Sequence, residues 1–351
     1  MTRSLHRPAD RGLPTLADVL DTKALRRHLR GVVDWEPSEK IDVRVLRWKK
    51  ADRCTLEIAF ESPGKWHAPL TALLLGPRAA GAGRRELIGK VYAEDRADVH
   101  RTMQEIARCG FAPDAQFAVP RTVAYLKPLR LLLYEKAPGV RARKVIAKGS
   151  EHDGVEAAAR CARWLARFHA RGPREGVVVN VSDEMRSAER TWRALSDLGP
   201  PLAEKAGRLF EALRAAAPSV DESAMCAAHG TYTPGQVLLG KERTATIDWD
   251  TYRVTDPSSD VARFLVELVR MGLKYFGETT AYDRMAEQFL ATYVAEAGAD
   301  VTKRLAFHQG AVYLDRAKHD IDKPRDGSHE KAQAMLDEGL RALTERRWTI
   351  A

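Results

Sequence analysis

The sequence predicts an α+β fold, with a small strand-rich lobe followed by a larger helical lobe, and three observations carry that prediction. Short apolar-alternating segments crowd the first 135 residues. Longer segments with apolar residues at three- and four-residue steps fill the rest. Between them the Pro138-Gly139 pair breaks the chain. A chain of 351 residues is long enough for two cores. The expected division is a helical extension over 1–34, an N-terminal lobe over 35–136 and a C-terminal lobe over 137–351.

Each element has its own signal. In residues 14–31, Leu16, Val19, Leu20 and Leu25 recur at helical spacing and predict one or two short helices. IDVRVLRWKKADRCTLEIAFE alternates Val43, Val45 and Arg47, turns through a polar stretch, and resumes at Leu56, Ile58 and Phe60, the pattern of a β-hairpin. HAPLTALLLG and RELIGKVYA predict two strands separated by the loop PRAAGAG. DRADVHRTMQEIARC sets Val99, Met103 and Ile106 on one side of a helix, and FAVPRTVAYL and LRLLLYEKAPG predict two further short strands.

Past Gly139, GVEAAARCARWLARFHARG places Ala158, Cys161, Trp164, Leu165 and Phe168 on one helical face. Helices are expected at 183–198 and 201–217, then a hairpin in QVLLGKERTATID that turns at GKER. Three or four helices close the chain, from SSDVARFLVELVRMGLKYFG to SHEKAQAMLDEGLRALTERRW.

Composition bounds the rest. Hydrophobic content of 44% with 30% charged residues belongs to a folded chain. No long apolar run or signal-like N-terminal segment is present, so a cytoplasmic location without membrane contact is expected. Cys54, Cys109, Cys161 and Cys226 are far apart and predict reduced, mostly buried thiols. The formal net charge is +9, yet residues 251–351 carry 15 Lys and Arg against 16 Asp and Glu, so the surplus lies earlier. Such a bias suits an anionic ligand such as a nucleotide, an acidic partner or nucleic acid, and equally suits solvated arginine-rich faces. The absence of a zinc finger or RNA-binding aromatic signature argues against nucleic acid.

Several residues could carry chemistry. GAGRRELIGKV only superficially matches a phosphate loop: five residues separate Gly83 from Gly89, Val91 replaces the hydroxyl, and a strand pattern follows. Lys90 sits inside that strand and Glu105 on the next helix. A buried ammonium needs a carboxylate partner, so the two belong together, whereas alone Lys90 reads as a strand-edge surface residue. His229 and Gly230 precede the hairpin, and Asp248 ends its second strand, where a rigidly held carboxylate suits a hard cation bridging phosphates. Asp256 with Pro257 makes a turn, and Ser258, Ser259 or Asp260 is expected to cap the helix that follows.

Taken in order, these segments resemble the aminoglycoside phosphotransferase and choline-kinase-like family, whose fold is that of protein kinases. The family pattern is H-G-D-x-x-x-x-N, a hairpin, I-D-[WFY]-[DE], then D-P-x-x-D. The matching residues are His229, Gly230, Pro234 and Gly235, then Ile247, Asp248, Trp249 and Asp250, then Asp256, Pro257 and Asp260. LARFHA resembles the family's L-A-x-L-H-A helix end, and LLLYEKAPG, with Glu135, its hinge segment. The likeness runs from about residue 42 to 270. It implies a protein-kinase-like two-lobe fold that binds ATP and magnesium in the cleft between lobes. By the same likeness Lys90 holds the nucleotide phosphates, Glu105 orients Lys90, Asp248 binds magnesium and Gln236 is a second metal ligand.

Two positions depart from the pattern. Thr231 stands where the family has its catalytic aspartate, and Gln236 where it has asparagine. The turn RWKKADRC also lacks the glycines of a phosphate-covering loop, which leaves Lys49, Lys50 and Arg53 as candidate phosphate contacts or as a solvated basic turn. Losing a general base costs about 10²- to 10⁴-fold, but phosphoryl transfer relies mostly on positioning and electrostatics. Activity is thus expected to be reduced, unless the acceptor oxygen needs no deprotonation or Asp250 substitutes.

The leading expectation is an ATP-dependent phosphotransferase acting on a small-molecule or peptide oxygen acceptor, with Thr231 lining the acceptor side. The alternative is a nucleotide-binding pseudokinase that presents a substrate to a partner protein. Nucleotidyl transfer and a basic nucleic-acid-binding module complete the set. A polycationic acceptor would want an acidic pocket, and the charge-balanced final hundred residues give no such surplus.

Overall fold

The computed structural model describes residues 10–30, 32, 40–61, 84–218, 225–297, 301–324, 326–345 and 347–348. The strand expected at HAPLTALLLG and the loop PRAAGAG lie outside the described residues. The chain divides into two compact units, residues 1–108 with 119–137, and residues 109–118 with 138–351.

In the first unit two short helices, α1 (Leu16–Leu20) and α2 (Thr22–Leu29), precede the hairpin of β1 (Lys40–Lys49) and β2 (Arg53–Glu61). β3 (Arg84–Tyr92) and helix α3 (Ala97–Ile106) follow. FAVPRTVAYL, expected as one strand, forms two. β4 (Phe117–Ala118) and β5 (Thr122–Leu126) part at Pro120, which has no N–H to donate to a ladder. β5 pairs with β6 (Leu131–Glu135), whereas β4 belongs to the second unit.

The first unit's sheet has the order β1-β2-β3-β6-β5, antiparallel throughout. Its apolar face is closed by the N-terminal helices: Leu16, Val19, Leu25 and Leu29 share one core with Leu56, Ile58, Leu87, Val91, Leu131 and Leu133. Burial of such side chains contributes roughly 1.5–3 kcal/mol each, which explains why sequence-adjacent helices join this sheet.

After β4 the second unit continues with β7 (Val140–Arg141) and a helix the periodicity did not reveal, α4 (Ala142–Lys148), in which only Ala142 and Ile146 are buried. Helices α5 (Glu151–Arg171) and α6 (Val181–Ser196) start at reciprocal capping boxes, Ser150 with Asp153 and Asn180 with Asp183. After α7 (Leu202–Ala216) come the short strands β8 (Cys226–Ala228), β9 (Val237–Leu239), β10 (Thr244–Thr246) and β11 (Arg253–Thr255). Four helices finish the chain: α8 (Pro257–Phe276), α9 (Asp283–Ala297), α10 (Thr302–Asp322) and α11 (Ser328–Thr344).

The strands form two small sheets, β4-β10-β9-β7 and β11-β8. β9 and β10 make the expected hairpin. Its turn is fixed by Arg160 of α5, which donates to the carbonyls of Gly240 (2.9 Å) and Arg243 (2.8 Å). No described helix is long and apolar enough to cross a membrane. All four cysteines are free thiols; Cys54, Cys161 and Cys226 are buried and Cys109 is half-buried.

Candidate active site

The chemistry-bearing residues of the second unit follow from how β8 ends and β11 begins. These strands pair antiparallel with Ala228 opposite Arg253, so the segment after β8 and the turn before β11 lie together. The loop after β8 runs from His229 to Gln236 and feeds β9, and the turn between β10 and β11 carries Asp248 to Tyr252.

The loop is anchored by Asp260. Ser258, Ser259 or Asp260 was expected to cap α8, but Asp256 is the cap, accepting the N–H of Ser258 at 2.8 Å. One turn further on, the fully buried Asp260 carboxylate reaches back to the loop. It accepts the backbone N–H of His229 at 2.6 Å and of Gly230 at 2.9 Å. His169 on α5 lies 3.4 Å from the same carboxylate and 2.7 Å from the Tyr293 hydroxyl. Burial pushes the Tyr293 hydroxyl well above its usual range, so Tyr293 donates to Nδ1 and the ring donates to Asp260 through Nε2. Burial alone would raise the Asp260 pKa, but His169 and the His229 N–H hold it below the ordinary carboxylate value. Asp260 is therefore an anionic hub that fixes the loop backbone.

Two aromatic side chains lock the same segments into the core. Tyr232 stacks on Trp164 at 5.8 Å and donates its hydroxyl to the Cys161 carbonyl of α5 at 2.8 Å. Trp249 packs 5.1 Å from Phe168 and 4.7 Å from His229. Both are essentially unexposed, so the loop and the Asp248 turn are each nailed to α5.

Between them lies a chain of side-chain hydrogen bonds around Thr231. Its hydroxyl is 2.8 Å from that of Thr251 and 3.4 Å from Nε2 of Gln236. Thr251 donates to the His229 carbonyl at 3.0 Å, and the Gln236 carbonyl oxygen accepts the Thr233 hydroxyl at 2.7 Å. His229 donates Nε2–H to the Ile247 carbonyl at 3.0 Å, leaving Nδ1 to accept the Thr231 N–H at 3.4 Å. Gly230 has φ +81°, and Arg253 lies against it, with Nε 3.3 Å from the Thr251 carbonyl and a terminal nitrogen 3.3 Å from the Gly230 carbonyl.

Asp248 is half-buried and sits in the left-handed region at φ +76°, ψ +59°. A non-glycine residue held there is under local strain, a condition concentrated at functional turns. Asp250, two positions on, is buried at 9% exposure.

In the first unit, Lys90 occupies β3 opposite Thr55 and Leu132 and is buried at 5% exposure. Glu105 lies half-buried on α3. Glu135 ends β6 and is 3.7 Å from Arg121. The turn between β1 and β2 is tied down from the N-terminal segment: Asp10 accepts the Ala51 N–H and the Trp48 indole N–H, each at 2.9 Å. The Asp52 N–H is used by the Lys49 carbonyl at 3.1 Å. Two backbone amides that a phosphate cradle would offer are thus engaged inside the turn. Lys49 forms an ion pair with Asp52, Lys50 is exposed, and Arg53 is half-buried.

The donor set fits a magnesium nucleotide in one respect. Among the described residues no group of three or more His, Cys, Asp or Glu side chains is gathered to hold a metal. Magnesium is commonly held by one or two carboxylates together with substrate phosphates, a requirement Asp248 can meet.

Sequence reasoning missed Asp260 as the loop anchor, along with Thr251, Tyr232 and Arg253. For Asp260 a signal existed: Val261, Ala262, Phe264 and Leu265 surround it with apolar residues, so a solvent-facing cap was the wrong environment.

A strand-rich unit, a helical unit, and a loop, hairpin and aspartate in this order define a protein-kinase-like fold. The chain belongs to the phosphotransferase enzyme family (APH), whose model matches residues 81–308. Solved structures agree on the fold. A choline kinase from Cryptosporidium parvum Iowa II is 11% identical with a TM-score of 0.60, over 92% of this chain and 96% of that one. A choline/ethanolamine kinase family protein from Mesorhizobium loti is 14% identical with a TM-score of 0.54, over 92% and 98%. A thermostable mutant of aminoglycoside phosphotransferase APH(4)-Ia, in ternary complex with ADP and hygromycin B, is 15% identical with a TM-score of 0.57, over 87% and 95%. No curated protein matches the sequence.

Proposed function

We propose that this chain is an ATP-dependent phosphotransferase with an atypical catalytic loop, acting on an oxygen acceptor of a small molecule or peptide. The observation that carries this reading is the Asp260-anchored loop lying against the strained Asp248 turn. A shell that had lost its chemistry would have no need to hold an aspartate in a left-handed conformation that costs on the order of 1–3 kcal/mol.

In this reading Lys90 neutralises nucleotide phosphates, a role that suits a buried ammonium on a central strand, and Glu105 orients it. Asp248 would hold magnesium, with the Gln236 carbonyl oxygen as a second contact. The metal supplies charge neutralisation at the phosphates when bound. Asp260 and Tyr232 keep the loop backbone rigid, so that Thr231 presents its hydroxyl in one orientation on the acceptor side. Positioning of this kind is most of what phosphoryl transfer asks of a protein.

The test is thermal stabilisation by magnesium and ATP, followed by product analysis, on wild type, Lys90→Met and Asp248→Asn. The reading expects stabilisation by the magnesium nucleotide and slow ADP release with a phosphorylated product, both lost in the two variants. Binding without turnover, with any partner present, would favour a substrate-presenting pseudokinase. An AMP-bearing product would indicate nucleotidyl transfer.

A further inference from the structure

We propose that Arg47 is a phosphate-binding residue of the nucleotide site, a guanidinium placed in register with Lys90 that stands in for the backbone amides of a glycine-rich loop. This rests on the phosphotransferase reading, in which Lys90 holds the nucleotide phosphates, and adds a second cation to it.

The first unit's sheet sets the two residues side by side. Cross-strand partners put their side chains on the same face, and successive residues of a strand alternate between faces. Leu56, Ile58 and Phe60 of β2, with Leu87 and Val91 of β3, lie in the core shared with the N-terminal helices. Thr55 and Lys90, which pair with each other, therefore lie on the opposite face. Arg47 pairs with Thr55. Arg47, Thr55 and Lys90 thus form one row across three strands, with about 10 Å between the outer two Cα atoms for two strand spacings. Two long cationic side chains based that far apart can converge on one triphosphate.

A bulge makes this row. The pairing steps from Val45 opposite Leu56 directly to Arg47 opposite Thr55, so Leu46 is the extra residue. In an unbroken strand Val45 and Arg47 would share a face, and the arginine would stand with Val45 on the core side. The extra residue moves it to the Lys90 side. Trp48 fixes the result, because it pairs with the buried Cys54 on the core face and donates its indole N–H to Asp10 at 2.9 Å. Its neighbour Arg47 is thereby held on the other face.

Partners separate Arg47 from other cations of this strand. Arg44 is bound to Glu57 at 2.7 Å, and Lys49 to Asp52. Arg47 is exposed and has neither a hydrogen bond nor an ion pair among the described residues. Its five N–H donors, in a fork that matches phosphate oxygens, are open to a ligand. The turn beyond it offers little competition, since Asp10 takes the Ala51 N–H and the Lys49 carbonyl takes the Asp52 N–H. A chain that uses those amides inside its own turn needs another donor to phosphate, and the row supplies one.

An arginine on an edge strand can also serve only to guard against strand addition. The experiment that separates the roles uses the full chain and titrates magnesium ATP by calorimetry, with denaturation midpoints measured without ligand. Arg47→Gln is expected to weaken magnesium ATP binding about 10-fold or more and to leave the ligand-free midpoint unchanged. Arg47→Lys, which keeps the charge and loses the fork, is expected to recover part of the loss. Arg27→Gln, which removes the same charge from an exposed position of α2, is expected to bind as wild type does.

Wild-type affinity in Arg47→Gln, with binding still lost in Lys90→Met, would make Arg47 an edge guard and overturn the inference while the phosphotransferase reading stands. An equal loss in Arg47→Gln and Arg27→Gln would reduce the effect to net charge, and a ligand-free midpoint that falls in Arg47→Gln would make the residue structural; either result overturns it. If magnesium ATP does not bind wild type, both readings fall together.

Discussion

Asp260 Oδ2 takes the backbone N–H of His229 at 2.6 Å, so a carboxylate one turn into α8 sets the conformation of a loop thirty-one residues upstream. Removing it strands at least two buried N–H donors and the His169 ring. Asp260→Leu is expected to destabilise the chain by about 3–5 kcal/mol, and Asp260→Asn, which keeps one acceptor, by roughly half as much. Chemical denaturation midpoints measure this. A loss below about 1 kcal/mol for the leucine variant would show that the loop is held by its aromatic residues alone.

Asp248 separates stability from function. Glycine has no Cβ to oppose φ +76°, so Asp248→Gly is expected to match or exceed wild-type stability by up to about 1 kcal/mol. The same variant is expected to lose magnesium-dependent stabilisation by ATP. A fall in melting temperature without ligand would mean that the aspartate's own contacts outweigh its backbone strain.

Gly230 meets a double obstacle. A methyl group there would run into the Thr251 carbonyl and the Arg253 side chain, at φ +81°. Gly230→Ala is expected to cost about 2–3 kcal/mol and to displace Arg253. Denaturation midpoints and ADP release in the presence of magnesium and ATP, measured on one preparation, would test both; an alanine variant of wild-type stability is the contrary outcome.

His308 is buried beside Glu184, at 2.9 Å, and Asp256, at 3.7 Å. Burial opposes the charged ring, but the two carboxylates prevail and raise its pKa from 6.5 to about 9. A raised folded-state pKa gives stability that is complete below about pH 6.5 and lost as pH climbs through about 9. The loss is on the order of 3 kcal/mol across that window. Urea midpoints at pH 6 and pH 9 for wild type and His308→Gln should show the slope in the first and little in the second; parallel slopes would place the titration elsewhere.

Most of the architecture was legible because it rests on local periodicity. The hairpin of β1 and β2, the β9–β10 hairpin and the amphipathic α5 each declare themselves within a dozen or two residues. What the sequence hid depends on tertiary partners. Helix α4 buries only two positions, too few for a period. The break inside FAVPRTVAYL falls at Pro120, but which sheet each half joins is decided by residues far away. Thr231 was visible as a departure from the family pattern, yet its meaning lies in Thr251 and Gln236, whose hydrogen bonds no spacing rule foretells. Asp260 was identified as a residue of interest and given the wrong task, because a helix start offers an aspartate two uses and only the fold selects one.

The parallel pairing of Phe117 with Thr244 has a consequence for biosynthesis. The ribosome releases β4 long before its neighbour β10 exists, so a short apolar strand waits with an unmatched edge while α4 to α7 emerge. Nor can either unit be excised by a single cut, since the decapeptide Cys109–Ala118 interrupts one and completes the other. Attempts to express the strand-rich half alone should therefore splice residue 108 to residue 119 through a designed turn, leaving that decapeptide with the helical half.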